Sequence, residues 1–328
     1  MIGAGSWATT VAALATRHAT VKLWARRPEV AEEINERHTS SSYVGDHRLP
    51  VDMRATTSMA QCLAGADVVV IGVPSHSVRQ VVARAAPQLP VGVPILSLAK
   101  GLEQHTQLRM TEVVHELAPG HPVGVLTGPN FAGEILAGFP AAAVIAVEDH
   151  AIGADLQRLF STEAFRVYTN DDVVGCEVAG ALKNVVAIAA GMSDGLGFGD
   201  NTRAALITRG LAELTRLGVA LGGRSPTFSG LAGLGDLVAT CTSGQSRNRQ
   251  LGEQLGRGRT LEEIMAGTNT VTEGVRTAAV VVELAARHGV DVPIAAQVAA
   301  VIEQGKPARD VIPALMARVV RRELHDIA

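Results

Sequence analysis

The stretch Ile2-Gly3-Ala4-Gly5-Ser6-Trp7-Ala8 opens the chain and decides the fold of its first half. It has the form GxGxxA, which is typical of a sharp turn from a β-strand into a helix. Gly3 permits the turn, Gly5 lets another group approach the backbone closely, and Ala8 keeps the helix near the strand. A second apolar stretch, residues 20–24, follows at the distance expected for the next strand. The sequence therefore predicts that the chain begins with a βαβ unit.

Short apolar runs alternate with helical stretches throughout the first half of the chain. We predict strands at residues 20–24, 68–73, 95–98, 123–126, 141–147 and 165–168. Such strands, separated by helices, indicate a parallel sheet covered on both faces. After about residue 172, Ala, Leu, Val and Gly recur at helical spacing. We therefore expect an α/β protein with a Rossmann-type doubly wound parallel sheet in residues 1–174 and a mostly α-helical domain in residues 175–328.

The composition excludes several classes of protein. Lys and Arg number 29 against 32 Asp and Glu, and aromatic residues make up only 3% of the chain, so a nucleic-acid-binding protein is disfavoured. The three cysteines form no CxxC pair, which indicates neither a zinc site nor a disulfide framework and fits a reducing cytoplasm. The uninterrupted apolar runs are shorter than the roughly 20 residues of a membrane helix. We expect no metal, no nucleic acid and no membrane span.

The glycine turn also predicts a ligand. A helix that begins at Ser6 presents free N–H groups to a phosphate, so Gly3 and Gly5 indicate a dinucleotide site. The second strand ends in Arg26 and Arg27, where NAD-specific proteins commonly carry an acidic residue for the ribose hydroxyls. Two arginines suit a 2′-phosphate, although they are also compatible with a solvated strand end. NADP(H) is therefore favoured, and NAD(H) stays possible.

The first strand is unusually short. Only Met1 and Ile2 precede Gly3, whereas a central strand normally has about five residues. Either the native start lies upstream or the domain works with a short strand, and we expect the former.

Lysine is scarce, which draws attention to each one. Of the four lysines, Lys22 and Lys306 fit structural or solvated positions. Lys100 follows a predicted buried strand, at the carboxyl end where doubly wound sheets bind ligands. Lys183, followed by Asn184, lies in an apolar helical stretch, where an ammonium is unfavourable unless it faces a polar cavity or reaches the surface. These two lysines are candidate site residues.

A polar cluster follows in the second half of the chain. Asp236 and Thr240 are four residues apart and would share one face of a helix, where they could hold a small polyol and support a lysine. Ser246, Arg247 and Asn248, at the start of a further helix, could bind a phosphate. The alternative is a surface loop with Ser246 as a helix N-cap.

These motifs together resemble those of the bacterial NAD(P)-dependent glycerol-3-phosphate dehydrogenases. The resemblance rests on GAGSWAT, VPSH, AKGLE, TGPNFA, GALKNVVAIAAGMSDGLGFGDN, ALITRGL, GLAGLGDLVATCTSGQSRNR and VTEG, in order and spacing from Ile2 to about Glu273. The chain departs from the pattern in its short first strand and in Ala8, where glycine is usual. The resemblance implies reversible reduction of dihydroxyacetone phosphate to sn-glycerol 3-phosphate with NAD(P)H, in the supply of glycerol phosphate for phospholipid synthesis.

The resemblance also implies roles for individual residues. Lys183 would be the general acid/base. The substrate would be bound by Lys100, Gly128, Asn130, Lys183, Asp236, Ser246, Arg247 and Asn248, and Asn184 and Thr240 are further candidates by their position. The cofactor would be bound by Ser6, Trp7, Arg26, Arg27, Lys100, Ala132, Arg247, Val271 and Glu273, in addition to Gly3 and Gly5 of the glycine turn. A cytoplasmic homodimer is expected on the same basis.

Two alternatives stay open from the sequence. A ketopantoate-type or other β-hydroxyacid reductase could share the two-domain plan, but its substrate would carry a carboxylate in place of the phosphate. A protein that senses NADP(H) without turnover is the other, and it would not need Lys183, Asp236 and Arg247 together.

Overall fold

The computed structural model describes residues 1–267 and 272–319, and the chain folds into two units. Unit 1 comprises Met1–Glu103 and Leu108–Val173. Unit 2 comprises Gln104–Gln107 and the described part of Val174–Ala328. The segment Gln104–Gln107 therefore belongs with unit 2, although the chain on either side of it belongs to unit 1. Nothing in the sequence pattern indicated this excursion.

Unit 1 is built on a sheet whose strands lie where the apolar runs predicted them, with one addition. The strands are β1 (Lys22–Trp24), β2 (Arg54–Thr56), β3 (Val69–Ile71), β4 (Ile95–Ser97), β5 (Val123–Thr127), β6 (Ala141–Ala146) and β7 (Phe165–Asn170). β1 pairs with β2, and β3 to β7 pair in sequence order. The prediction missed β2, because Arg-Ala-Thr is too short and too polar to form an apolar run.

The residues before the glycine turn join the two parts of this sheet. The Ile2 amide donates to the Val70 carbonyl oxygen (2.7 Å) and the Gly72 amide donates to Ile2 (2.8 Å), while Gly3 donates to Trp24 (3.0 Å). Ile2 is thus a short central strand that pairs in parallel with Trp24 on one side and Ile71 on the other. A cavity of about 490 Å³ lies beside Met1 at the amino-terminal ends of β1 and β3. The expectation of an upstream start stays a prediction.

Helices cover both faces of the sheet. They are α1 (Ser6–Ala15), α2 (Pro28–Glu32), α3 (Ser41–Val44), α4 (Met59–Leu63), α5 (Ser75–Ala85), α6 (Met110–Leu117), α7 (Ala132–Leu136) and α8 (His150–Phe160). Val70 and Leu96 point into the core beneath α1 and α8, whereas Ile71 and Ile95 point into the core beneath α5 and α6. This alternation is what a sheet buried on both faces requires.

The predicted α/β class with a parallel sheet is confirmed, with one local difference. The pairs β1–β2, β3–β4, β4–β5 and β6–β7 are parallel. The pair β5–β6 is antiparallel, with Val125 opposite Ala146. Apolar runs show that a strand is buried but not its direction, so the sequence did not reveal this reversal.

Unit 2 is helical, as predicted. Its helices are α9 (Val173–Gly195), α10 (Asp200–Ala220), α11 (Ser225–Phe228), α12 (Asp236–Thr242), α13 (Arg247–Gly256), α14 (Leu261–Ala266), α15 (Glu273–Arg287), α16 (Pro293–Gln304) and α17 (Val311–Met316). A π-helical turn, Leu231–Gly235, leads directly into α12.

The long helix α9 bears on the expectation that the chain has no membrane span. By length and composition it could cross a membrane, which counting uninterrupted apolar runs did not detect because Lys183 and other polar residues divide it. Within the protein, however, 94% of its most apolar window is buried. The helix therefore forms the core of unit 2.

Candidate active site

The glycine turn of unit 1 has the geometry that its sequence predicts. Gly3 has φ +115°, and a Cβ at this position would lie 2.7 Å from the carbonyl oxygen of Gly72, so only glycine fits. Gly5 is the N-cap of α1, and nothing lies within 4 Å of where its Cβ would be. The backbone at Gly5 is therefore open to close approach by another group, and the first turn of α1 beside it has N–H groups that can bind a phosphate.

Alanine at position 8 is accommodated by a glycine on the neighbouring strand connection. A Cβ on Gly72 would lie 2.5 Å from the Cβ of Ala8. The close packing that a glycine at position 8 usually allows is thus supplied by Gly72.

The arginines predicted to choose the cofactor follow β1 directly. Arg26 is exposed, and the guanidinium of Arg27 lies 5.3 Å from the ring centre of Tyr43. The hydroxyl of Ser6 donates to the carbonyl oxygen of Tyr43 (2.5 Å), so α3 is tied to the glycine turn. Tyr43 was not among the predicted site residues, because its contacts with Ser6 and Arg27 come from tertiary packing.

Trp7 and Asn130 carry buried polar atoms without partners. The indole nitrogen of Trp7 and both side-chain polar atoms of Asn130 are buried with no hydrogen-bond partner among the described residues. Buried polar groups are normally satisfied. These two side chains therefore fit a bound polar ligand, such as the dinucleotide and substrate predicted for them.

Lys100 and Gly128 lie at the carboxyl ends of the adjacent strands β4 and β5. The Lys100 Nζ donates to the carbonyl oxygen of Gly128 at 2.8 Å. Gly128 has φ +126°, and its Cβ position would lie 3.2 Å from the Cα of Ala143. Ala132 is the first residue of α7, a few residues further along. The structure thus brings these predicted site residues to one edge of the sheet, as their position after the strands indicated.

In unit 2, Lys183 is buried and paired. Its side chain is 7% exposed, and its Nζ donates to the Asp236 Oδ1 at 2.5 Å and to the Thr240 Oγ1 at 2.6 Å. Asp236 and Thr240 lie one turn apart on α12, on the shared face that their spacing predicted. The alternative of a surface lysine is wrong. A cation fixed beside a carboxylate and a hydroxyl can donate a proton to a bound oxygen.

Cys241 follows Thr240 in α12, and its thiol is unreactive. Burial raises the pKa of its thiol to about 12; the Lys183 ammonium lowers this pKa, and the Asp236 and Asp194 carboxylates each raise it by less than burial does. The thiol is therefore neutral near pH 7 and is not a nucleophile.

Asn248 connects the start of α13 with two other helices. Its Nδ2 donates to the Asn184 Oδ1 (2.9 Å), and its Oδ1 accepts from the Gly274 amide at the start of α15 (3.0 Å). Asn184 is the residue after Lys183. The amide of Asn248 thus joins the neighbourhood of the buried lysine to α13 and α15.

The remaining predicted residues flank these helices. Ser246 is the N-cap of α13 and accepts from the Arg249 amide (3.2 Å), as the alternative predicted, but it is buried and does not lie on the surface. Its hydroxyl hydrogen is still able to donate to a ligand. Arg247 is the first residue of α13 and is exposed. Glu273 is the first residue of α15. Val271 lies outside the described residues.

Comparison with known proteins agrees with the predicted family along the whole chain. The N-terminal and C-terminal models of NAD-dependent glycerol-3-phosphate dehydrogenase match residues 1–153 and 172–313. The chain is 53% identical over 325 residues to glycerol-3-phosphate dehydrogenase [NAD(P)+] 2 of Sphingopyxis alaskensis, covering 99% of this chain and 98% of that protein. It is 51% identical over 326 residues to glycerol-3-phosphate dehydrogenase [NAD(P)+] of Mycobacterium avium, covering 99% and 96%.

Solved structures separate the predicted family from its nearest alternative. Glycerol-3-phosphate dehydrogenase from Coxiella burnetii superposes with a TM-score of 0.92 at 36% identity, over 97% of this chain and 98% of that one. A ketopantoate reductase from Ralstonia eutropha superposes with a TM-score of 0.60 at 18% identity, over 95% and 98%, which shows a shared fold alone. The chain belongs to the NAD-dependent glycerol-3-phosphate dehydrogenase family.

Proposed function

We propose that this enzyme reduces dihydroxyacetone phosphate to sn-glycerol 3-phosphate with NAD(P)H, and that Lys183 exchanges the proton. The observation that carries the assignment is the buried contact of the Lys183 Nζ with Asp236 and Thr240. This ammonium is held in place before any substrate arrives, which favours proton transfer to a substrate oxygen.

Each partner of Lys183 has a separate task in this proposal. The carboxylate of Asp236 accepts a hydrogen bond from the ammonium and fixes its direction, while its negative charge offsets the cost of burying a cation. Thr240 accepts a second hydrogen bond, and its hydroxyl lies 3.3 Å from the Asp236 Oδ1. The ammonium is thereby oriented to protonate the ketone oxygen as that oxygen gains negative charge.

Unit 1 would hold the cofactor. The open space above Gly5, the unpartnered indole nitrogen of Trp7 and the arginines after β1 fit a dinucleotide. When bound, the nicotinamide supplies the hydride. The chain's own contribution is to fix the phosphates at the N-terminus of α1, and the remaining cofactor contacts follow the residues that the family resemblance implies, with Ala132 and Glu273 among them.

We propose that NADP(H) is preferred over NAD(H). Arg26 and Arg27 stand where an acidic residue would select the ribose hydroxyls, and Tyr43 supports the Arg27 guanidinium from below. Guanidinium groups match the geometry of a phosphate better than that of a hydroxyl.

The phosphate of the substrate is assigned to the start of α13. Arg247 supplies an exposed guanidinium there, and the Ser246 hydroxyl stands beside it. Lys100, Gly128, Asn130, Asn184 and Asn248 are the further residues assigned to the substrate. On this basis residues 1–174 form the NAD(P)-binding domain and residues 175–328 the substrate and catalytic domain.

We further propose a cytoplasmic homodimer. The dimer rests on the family resemblance, and the location is consistent with free thiols at Cys62, Cys176 and Cys241. Light scattering on the purified protein would give a dimer mass, and a monomer mass would contradict this part.

The assay that tests the proposed function follows oxidation of NADPH by its nicotinamide absorbance. Dihydroxyacetone phosphate should support turnover, while ketopantoate and unphosphorylated dihydroxyacetone should support little. Faster turnover with the carboxylate substrate, or binding of NADPH without turnover on any of the three, would contradict the proposal.

A further inference from the structure

Arg249 joins three helices of unit 2 through one side chain. Its Nη1 lies 2.6 Å from the Asp194 Oδ2 near the end of α9, and its Nε donates to the Ser243 carbonyl oxygen after α12 (3.0 Å). Its side chain is 15% exposed. The Asp194 Oδ1 is in turn 3.3 Å from the Arg203 Nε on α10. Two guanidinium groups therefore share one largely buried carboxylate.

The contact between α9 and α13 is a close approach of bare backbone. It is made by two glycine pairs one turn apart, Gly191 with Gly195 on α9 and Gly252 with Gly256 on α13. A Cβ at any of these positions would lie between 2.0 and 2.4 Å from a backbone oxygen of the facing helix. Since glycines offer no interlocking side chains, the polar pairs beside them, Arg249 with Asp194 and Asn248 with Asn184, contribute to how the two helices are aligned.

This alignment sets where the proposed substrate residues lie. Arg247 and Asn248 precede Arg249 on the same first turn of α13. Asn248 is hydrogen-bonded to Asn184, which follows Lys183 on α9. A shift of α13 along α9 would therefore move the guanidinium of Arg247 relative to the buried ammonium.

We propose that Arg249, through its ion pair with Asp194, is a positioning residue that sets the distance between Arg247 and Lys183. The inference rests on the proposed contact of Arg247 with the substrate phosphate. Substrate length is fixed, so a small displacement of the phosphate-binding residue weakens binding. The proton-donating group is affected less, because Lys183, Asp236 and Thr240 hold one another on α9 and α12.

The test compares R249Q, R247Q and the double variant with the wild-type enzyme. R249Q should raise the KM for dihydroxyacetone phosphate roughly tenfold, which is the usual effect of losing a charge-assisted hydrogen bond, and kcat should stay within about threefold. R247Q should raise KM at least as much. The double variant should resemble R247Q alone, since there is no phosphate contact left to position.

Two outcomes separate the inference from the function on which it rests. An unchanged KM in R247Q would remove the proposed phosphate contact itself. If KM increases in R247Q but is unchanged in R249Q, the positioning role alone is overturned. The same holds if the effects of R247Q and R249Q are fully additive in the double variant.

Matched variants control for a general loss of stability. R318Q removes an exposed arginine of unit 2 whose partner, Asp291, does not pair with Arg249, and it should leave KM unchanged. R249K keeps the charge but cannot reach Asp194 and Ser243 together, so it should fold and show a KM between those of wild type and R249Q. A wild-type KM in R249K, if R249Q does not fold, would likewise overturn the inference.

Discussion

The two units hold their proposed ligands by different physical means. In unit 1 the site is mostly backbone, made by a glycine at φ +115°, an open helix N-terminus and the carbonyl oxygen of Gly128. In unit 2 it is mostly buried side chain, with Lys183, Asp236 and Thr240 within hydrogen-bond distance of one another. The site in unit 1 therefore requires particular backbone conformations, whereas the site in unit 2 requires particular charged side chains to be buried together.

This difference predicts how substitutions should affect each site. Removing a partner of Lys183 in unit 2 leaves a buried charge unpaired and should strongly reduce kcat. In unit 1, a change in a side chain should alter selectivity, and a change in backbone conformation should weaken binding. The following variants test that contrast.

The largest effect is expected for D236N. This change leaves the Lys183 ammonium without its negative partner, so kcat should fall roughly 100-fold or more while the KM for NADPH changes little. Steady-state kinetics with both substrates varied would measure it. The matched control is D200N, whose carboxylate is 96% exposed and should leave kcat unchanged. A kcat for D236N close to that of wild type would contradict the claim that the unit 2 site depends on paired buried charges.

The R26Q/R27Q double variant tests selectivity in unit 1. We expect kcat/KM with NADPH to fall roughly tenfold or more, because two charge-assisted contacts with the 2′-phosphate are lost, and kcat/KM with NADH to stay nearly constant. The ratio of the two values is the readout. Equal losses with both cofactors would show that these arginines do not recognise the 2′-phosphate.

G128A tests the backbone site. Its φ of +126° is strained for alanine, at a cost of about 1–3 kcal/mol, and the shift should displace the carbonyl oxygen that holds Lys100. The KM for dihydroxyacetone phosphate should rise roughly fivefold. G138A is the control, because Gly138 also has a positive φ (+80°) but nothing lies within 4 Å of its Cβ position. A similar KM in both variants would argue against a site at Gly128.

The last prediction concerns stability alone and no change in turnover, at a second buried carboxylate of unit 2. Glu213 on α10 accepts from the amides of Ile294 and Ala295 at the start of α16, and burial raises its pKa to about 7 from 4.5. Between about pH 4.5 and pH 7, the Glu213 carboxyl is therefore protonated in the folded state and ionised in the unfolded state. The contribution of the Glu213 proton to the free energy of unfolding is complete below about pH 4.5 and is lost by about pH 7, a change of up to about 3 kcal/mol.

Chemical denaturation of the wild type and E213Q at several pH values would measure this change. The free energy of unfolding of the wild type relative to E213Q should fall as pH rises through that window. A difference that grows with pH would mean that the carboxylate of Glu213 is stabilised in its charged form.

The sequence predicted unit 1 well where local pattern decides structure. Each predicted apolar run contains a strand, and Lys100 with Gly128 came together because carboxyl ends of adjacent parallel strands meet at one edge. The short strand β2, the antiparallel direction of β6 and the role of Tyr43 were missed. These depend on pairing and packing between distant segments, which no local pattern carries.

In unit 2, spacing predicted part of the site and tertiary packing supplied the rest. The four-residue interval placed Asp236 and Thr240 on one face of α12, but nothing in the sequence fixed their distance to Lys183, 53 and 57 positions away. Arg249 stood in the quoted SRNR motif without an assigned role, because its partner Asp194 is reached only through the close crossing of α9 and α13.

The most direct test of the proposed mechanism is the turnover number of K183A with dihydroxyacetone phosphate, measured beside the dissociation constant for NADPH from fluorescence titration. We predict that kcat falls roughly 100-fold or more while the dissociation constant stays within about threefold of the wild-type value. Near-normal turnover in K183A would contradict the account, since some other group would then be donating the proton.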